Sequence, residues 1–119
     1  MKIKKKELKK LLKENAPPRG EGKHSKKFFK KNGFYYEDCW NLDITTAWFV
    51  LPRLIHFRKN ALSFPDRFKN LKDWQDALDK MIEAFYLILK NPYLWNGEQL
   101  KKIQEGLSLF SHFYLNLWD

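Results

Sequence analysis

Four acidic residues within one stretch are spaced in a way that could support metal chemistry: Asp73, Asp76, Asp79 and Glu83. In a helix the last three share one face, and carboxylates in helical bundles can bind Mg²⁺ together with water and phosphate oxygens. Such a site would predict a Mg²⁺-dependent hydrolase of nucleotides. Two-metal chemistry needs a second, facing set of carboxylates, however, and the preceding apolar stretch offers only Asp43. A solvated acidic face is therefore favoured, with Asp76, Asp79 and Glu83 as alternative metal ligands.

The cysteine and the histidines indicate neither a zinc site nor a catalytic nucleophile. Cys39 is the only cysteine, so it cannot form an internal disulfide, and we expect it to be a small buried side chain beside Trp40. His24, His56 and His112 do not lie at ligand spacing, and His112 is predicted to be on the surface. Without a nucleophile–base pair or a phosphate-binding loop, the sequence favours a protein that is not an enzyme and has no cofactor.

Positive charge is concentrated at the N-terminus. Residues 1–31 contain 13 Lys or Arg against 3 Glu, a net charge of +10, whereas residues 32–119 contain 10 against 11 acids. This segment is a solvated arm, an intramolecular partner of the acidic face, or an arm that binds nucleic acid or an acidic protein surface. In the last case Phe28 and Phe29 would stack on unpaired bases. The candidate binding residues are Lys4, Lys5, Lys6, Lys9, Lys10, Arg19, Lys23, Lys26, Lys27, Phe28, Phe29, Lys30 and Lys31.

Two arginines, Arg53 and Arg58, lie in the longest apolar stretch of the chain. An apolar helix tolerates a guanidinium only if it reaches solvent or meets an anion. Pairing with a carboxylate, from Asp43, Asp79 or Asp119, is favoured over capture of an external anion. We expect Arg53 to meet a carboxylate inside the bundle, with Asp119 as a candidate partner.

The apolar stretch itself predicts the central helix of the domain. It is apolar nearly all round, which is typical of a helix buried by several neighbours. We expect it to run from about residue 38 to 60, with Asp38 or Asn41 as the N-cap and a kink at Pro52. A buried strand over residues 44–51 is the alternative, because a short apolar run cannot be assigned by periodicity alone.

Two more helices are predicted, over residues 70–90 and 97–118. Asn70 is the expected N-cap of the first, and Asn96 or Gly97 opens the second. Their apolar residues alternate steps of three and four, so the two helices can pack as antiparallel neighbours. These residues are Leu71, Trp74, Leu78, Met81, Phe85 and Ile88, then Leu100, Ile103, Leu107, Phe110, Tyr114 and Leu117.

A further amphipathic helix is predicted near the N-terminus, where Ile3, Leu8, Leu11 and Leu12 share one face. At about 13 residues it is marginal alone in water, so it docks on the core or folds on a partner. The sequence thus predicts a basic arm and linker over residues 1–33 and a helical domain over 34–119. The fold class is all-α: a three-helix bundle with a kinked central helix, to which the N-terminal helix would add a fourth.

No apolar run approaches the roughly 18 residues that cross a bilayer, and the N-terminal lysines are not followed by an apolar signal-peptide core. The 17% aromatic content supplies ample core material for one domain of 119 residues. We therefore expect a cytoplasmic protein without a membrane partner.

Several short motifs together resemble a family of small, mostly uncharacterised proteins encoded by tailed bacteriophages. The resemblance covers about residues 34 to 119 and implies a phage origin and the cytoplasm of a bacterial host, but no activity. Where a further acid would follow Ala84-Phe85, this chain has Tyr86, which weakens a carboxylate site. The motifs are Trp40-Asn-Leu-Asp43, Leu51-Pro-Arg-Leu54, Leu78-Asp-Lys-Met81, Ala84-Phe85, Glu105-Gly-Leu107 and Leu117-Trp-Asp119.

The favoured function is a small non-enzymatic phage accessory protein that acts by binding. Its expected partner is a host protein or protein–nucleic-acid complex, and inhibition of a host defence or nucleic-acid enzyme, as by an anti-CRISPR-like protein, is the expected effect. The alternatives are direct DNA or RNA binding through the basic arm and the Mg²⁺-dependent phosphohydrolase.

Overall fold

The computed structural model describes residues 2–19 and 25–118. Within these ranges the chain is helical and contains no strand, so the all-α prediction is confirmed and the strand alternative over residues 44–51 is wrong. None of the helices in the described part is long and apolar enough to cross a membrane. The helices are α1 (Lys5–Glu14), α2 (Ser25–Asn32), α3 (Leu42–Asn60), α4 (Leu71–Lys90) and α5 (Gly97–His112), with 3₁₀-helices at Tyr36–Cys39 and Tyr114–Asn116.

The predicted caps of α4 and α5 are confirmed. The side-chain oxygen of Asn70 accepts from the backbone N–H of Asp73 at 2.9 Å. Asn96 and Gln99 form a reciprocal capping box, with side-chain to backbone distances of 2.8 and 3.0 Å. Each cap satisfies a backbone donor that the first helical turn leaves without a partner. Local sequence therefore sets where these two helices begin.

The predicted ends of α3 and α5 are too long. Residues 36–39 form a 3₁₀-helix, so α3 begins at Leu42, after Asn41. At the other end α5 stops at His112, and Phe113 turns into the core, where it is buried. Its ring lies 5.5 Å from Trp74 and 5.1 Å from Phe68. Burial of Phe113 against these rings favours the turn over continuation of α5.

The central helix is α4 and not α3, which corrects the prediction. Ten residues of α4 are buried, against four of α3, and α4 packs against both α3 and α5. One face of α3 is open, because Leu42 and Phe49 are 59% and 50% exposed. Three long helices provide too few neighbours to cover every side of α3. The helix continues through Pro52, and the kink there stays a prediction.

Close approach of α4 and α5 depends on Gly106. A Cβ atom at this position would lie 2.4 Å from the Cβ of Ala84 and 2.5 Å from the backbone oxygen of Lys80. Both distances are far below van der Waals contact, so a side chain at residue 106 would push the two helices apart. The Glu105-Gly-Leu107 motif therefore has a packing role.

The N-terminal helix α1 docks on the bundle. Leu11 is buried in the same core as α3 and α4, and Ile3 and Leu8 pack against it. The indole N–H of Trp48 in α3 donates to the carbonyl of Leu12 at 2.9 Å. This confirms the docking alternative for the leucine face. Helix α1 thus packs with α3 and α4, and the division of the chain at residue 33 stays a prediction.

Candidate nucleic-acid interface

Helix α2 carries four exposed lysines: Lys26, Lys27, Lys30 and Lys31. The remaining side of this short helix holds Phe28 and Phe29, because residues one apart in a helix lie about 100° apart around its axis. Gly33 ends the helix in a left-handed conformation, with φ of 83°. Its N–H donates to the carbonyl of Phe29 at 2.7 Å.

The two phenylalanines attach α2 to the Tyr36–Cys39 3₁₀-helix. The ring centre of Phe28 is 5.4 Å from that of Phe34 and 5.5 Å from that of Tyr36, both edge to face. The Phe29 ring lies 4.6 Å from Tyr35. Such pairs contribute about 0.5–1.5 kcal/mol each beyond their buried area. Phe28 and Phe29 thus have intramolecular ring contacts, although Phe29 is still 43% exposed, and their predicted stacking on bases stays a prediction.

Three other rings of this cluster face solvent. Phe34, Tyr36 and Trp40 are 44%, 54% and 56% exposed. Tyr36 and Trp40 lie 6.2 Å apart with their planes at 86°. The basic–aromatic surface consists of the four α2 lysines with Phe34, Tyr36 and Trp40. The sequence prediction placed Trp40 in the helix over residues 38–60 and did not include Phe34 or Tyr36 among the binding residues, although six aromatic residues in the 13 positions from 28 to 40 were a usable signal.

Arg19 holds the 3₁₀-helix in place. Its guanidinium donates two hydrogen bonds to the carboxylate of Asp38, at 2.8 and 3.0 Å. It also lies over the rings of Tyr35 and Trp48, at 5.4 and 5.2 Å from their centres. The hydrogen bonds from Arg19 to Asp38 raise the pKa of the guanidinium. Arg19, predicted as a binding residue, therefore links the segment after α1 to the 3₁₀-helix and α3.

The predicted basic residues fall on two separate helices. One group is exposed at or on α1, which docks on α3 and α4: Lys4, Lys5, Lys6, Lys9 and Lys10. The other group is the four lysines of α2, the helix that carries Phe28 and Phe29. The predicted binding residue Lys23 lies outside the described residues.

Glu7 in α1 forms a small polar cluster with α4. The hydroxyl of Tyr86 donates to its carboxylate, and the ammonium of Lys90 donates to Glu7 at 3.1 Å and to the Tyr86 oxygen at 2.8 Å. The hydrogen bond from Tyr86 is the largest cause that lowers the pKa of Glu7, followed by the one from Lys90. Burial is the largest cause that raises the pKa of Tyr86. The cluster thus favours the charged carboxylate and the neutral phenol.

Replacing Tyr86 by phenylalanine is expected to destabilise the protein at neutral pH and to matter less in acid. A carboxyl whose pKa is lower in the folded state contributes stability above its unfolded pKa, and this contribution is lost as the pH falls through the folded pKa. Urea unfolding of wild type and Tyr86→Phe, at pH 7 and below the titration of Glu7, measures the difference. Tyr114→Phe, at an exposed tyrosine, is the control. A destabilisation equal at both pH values would contradict the role of Glu7.

The acidic residues of α4 form ion pairs instead of a shared site. The carboxylates of Asp76, Asp79 and Glu83 each meet a different cation, and the hydrogen bond from Lys72 lowers the pKa of Asp76. No group of three His, Cys, Asp or Glu in the described ranges could hold a metal ion. The geometry therefore does not support these residues as metal ligands. Their partners are, in order, Lys72 at 2.9 Å, Arg58 at 3.0 Å and Lys102 at 3.4 Å.

The two arginines of α3 have different surroundings. Arg58 makes two hydrogen bonds to Asp79, at 3.0 and 3.2 Å, which confirms the predicted carboxylate pairing for this residue. Arg53 is exposed on the open face of α3, where it donates to the carbonyl of Phe49 and lies 3.8 Å from the centre of the Phe49 ring. Its predicted place inside the bundle is wrong, because none of the described helices covers that face. The candidate partner Asp119 lies outside the described residues.

The structure also corrects the environment of Cys39, which is exposed and not buried. His112 is on the surface, as predicted, and contacts Arg67. His24 lies outside the described residues.

No known protein family, curated protein or solved structure matches this chain. The resemblance to tailed-phage proteins accordingly stays a prediction. Within the described residues, the basic–aromatic surface combines four exposed lysines with three exposed aromatic rings.

Proposed function

We propose that this protein is a non-enzymatic accessory protein that binds nucleic acid through the basic–aromatic surface. The observation that supports the proposal is the attachment of a lysine-covered helix to a cluster of exposed rings. Lysines that neutralise phosphates release counterions and so provide affinity. Aromatic rings contact bases, which lysines alone do not do.

The charge on α2 is available to a ligand. Within the described residues, no carboxylate pairs with Lys26, Lys27, Lys30 or Lys31. Most of the charged groups on α4 and α5 that form ion pairs do so with each other or with α3. A polyanion would therefore meet positive charge on α2 that no carboxylate of the described residues neutralises.

The salt dependence of binding tests this proposal. Replacing the four α2 lysines by glutamine should weaken binding of a single-stranded oligonucleotide. It should also reduce the slope of log K against log salt by up to about 3, given about 0.7 per phosphate contact. The matched control replaces three exposed lysines elsewhere, Lys59, Lys69 and Lys101, and should change the slope little. An unchanged slope in the α2 variant would refute the proposal.

A second candidate is an inhibitor of a host defence or nucleic-acid enzyme that acts by docking on a protein. The observation that favours it is an apolar end of the bundle, where Leu62, Leu115 and Trp118 are 92%, 84% and 73% exposed. Apolar side chains that cluster on a surface often mark protein contacts. Phe64 and Trp118 line the same shallow pocket there.

A comparison of two baits tests the second candidate. The wild-type protein should retain a partner from a bacterial host lysate, and a variant with serine at Leu62, Leu115 and Trp118 should lose it. Retention of the same proteins by both baits, or of none, would count against docking at this end of the bundle.

A further inference from the structure

We propose that the basic–aromatic surface selects single-stranded nucleic acid whose bases stack weakly, such as pyrimidine runs, and that Tyr36 and Trp40 are the side chains that contact the bases. This inference rests on the proposed nucleic-acid function and deepens it by naming the class of ligand.

The orientation of the two rings argues for a single strand. Tyr36 and Trp40 are each more than half exposed, their centres are 6.2 Å apart, and their planes are nearly perpendicular. Two bases stacked on these rings would also lie nearly perpendicular to each other. Neighbouring bases in a duplex are parallel, and both faces of each base are already covered by the adjacent base pairs. Only a strand whose bases can separate and turn would use both rings.

The rings are held in position before any ligand binds. Phe28 packs edge to face against Tyr36 from the side of α2. The 3₁₀-helix that carries Tyr36 is also linked to α3, because Arg19 pairs with Asp38 and lies over the ring of Trp48. A rigid aromatic site loses little conformational entropy when it binds, so more of the stacking energy appears as affinity.

Charge complementarity points to nucleic acid as the occupant and not to an apolar peptide. Helix α2 carries four exposed lysines, and its Phe28 packs directly against the exposed Tyr36, so the positive charge and this ring lie on two elements in contact. Proteins that bind single strands commonly combine lysines that contact the phosphates of the nucleic acid with aromatic rings on which any base can stack. Pyrimidine runs are favoured because their bases cost less to unstack.

Affinity for oligo(dT), oligo(dA), oligo(U) and a hairpin duplex, measured at one salt concentration, provides the test. Oligo(dT) and oligo(U) should bind more tightly than oligo(dA), and the duplex most weakly. Tyr36→Ala and Trp40→Ala should each weaken oligo(dT) binding about 5- to 150-fold, the range for loss of one base stack. The salt slope should stay unchanged because no charge is removed.

Two control variants separate stacking from folding. Trp40→Phe keeps an aromatic face and should retain most of the affinity that Trp40→Ala loses. Tyr114→Ala removes a ring that is 60% exposed in the 3₁₀-helix after α5, outside the basic–aromatic surface, and should have no effect.

The outcomes distinguish this inference from the proposed function. Equal affinity for duplex and single strand, or ring variants that bind like wild type, would overturn the stacking inference. The proposed nucleic-acid binding would stand in that case if replacing the four α2 lysines still reduced the slope of log K against log salt. Absence of binding to every oligonucleotide would overturn both.

Discussion

Replacing Gly106 by alanine is expected to lower the free energy of unfolding by about 2 kcal/mol. Alanine favours a helix by about 1 kcal/mol over glycine, but here its Cβ would lie 2.4 Å from Ala84 and 2.5 Å from a backbone oxygen of α4. Overpacking of this kind costs about 3 kcal/mol, and neither a Cβ nor a backbone carbonyl can rotate away. The steric cost therefore exceeds the gain in helix propensity. Urea unfolding measures the difference.

Gly97 is the matched control for Gly106. It also lies in α5, but a Cβ there would meet nothing within 4 Å. Gly97→Ala should change stability by no more than about 0.5 kcal/mol, as for most surface substitutions. If Gly106→Ala were as stable as Gly97→Ala, the close approach of α4 and α5 at this residue would be disproved.

Replacing Leu11 by alanine is expected to lower the free energy of unfolding by about 2–3 kcal/mol, near the low end for buried leucines. Leu11 is 6% exposed in the shared core. The loss of stability is limited to the free energy that docks α1 on the bundle, because α1 can undock while the other helices stay packed. If α1 were a solvated arm, the substitution would leave the free energy of unfolding unchanged. Urea unfolding of the full chain distinguishes the two.

Leu12 provides the comparison for Leu11, because it is the adjacent residue, has the same side chain and is only partly buried. Leu12→Ala should destabilise the protein less, since the carbonyl that accepts from Trp48 belongs to the backbone and is retained. Equal losses in the two variants would argue against specific docking of α1 through Leu11.

Periodicity and capping residues predicted the helices that are amphipathic. The apolar steps of three and four in α4 and α5, and the asparagines before them, are local signals, and the structure agrees at both N-termini. The Arg58–Asp79 pair was among the predicted options because a charge in an apolar helix needs a partner. These features depend on residues close in sequence or on charges with few available partners.

The candidate site was only partly accessible to sequence analysis. Clustered lysines and the Phe28-Phe29 pair indicated a nucleic-acid surface, but not which rings would face solvent. Whether Phe28 is an exposed ring or an anchor depends on where Tyr36 lies, and no local rule decides this. Exposure of Tyr36 and Trp40 follows from how α2 packs on the 3₁₀-helix.

By itself, the sequence of this protein determined an all-α chain, the starts of α4 and α5, and a strongly basic N-terminal quarter, because helix period, capping and net charge are local properties. The tertiary structure decided that α4 is the central helix, that one face of α3 stays open with Arg53 exposed, and that α1 joins the core. These outcomes depend on which apolar faces find partners. An apolar pattern shows that a face can be buried, but only the available neighbours determine whether it is.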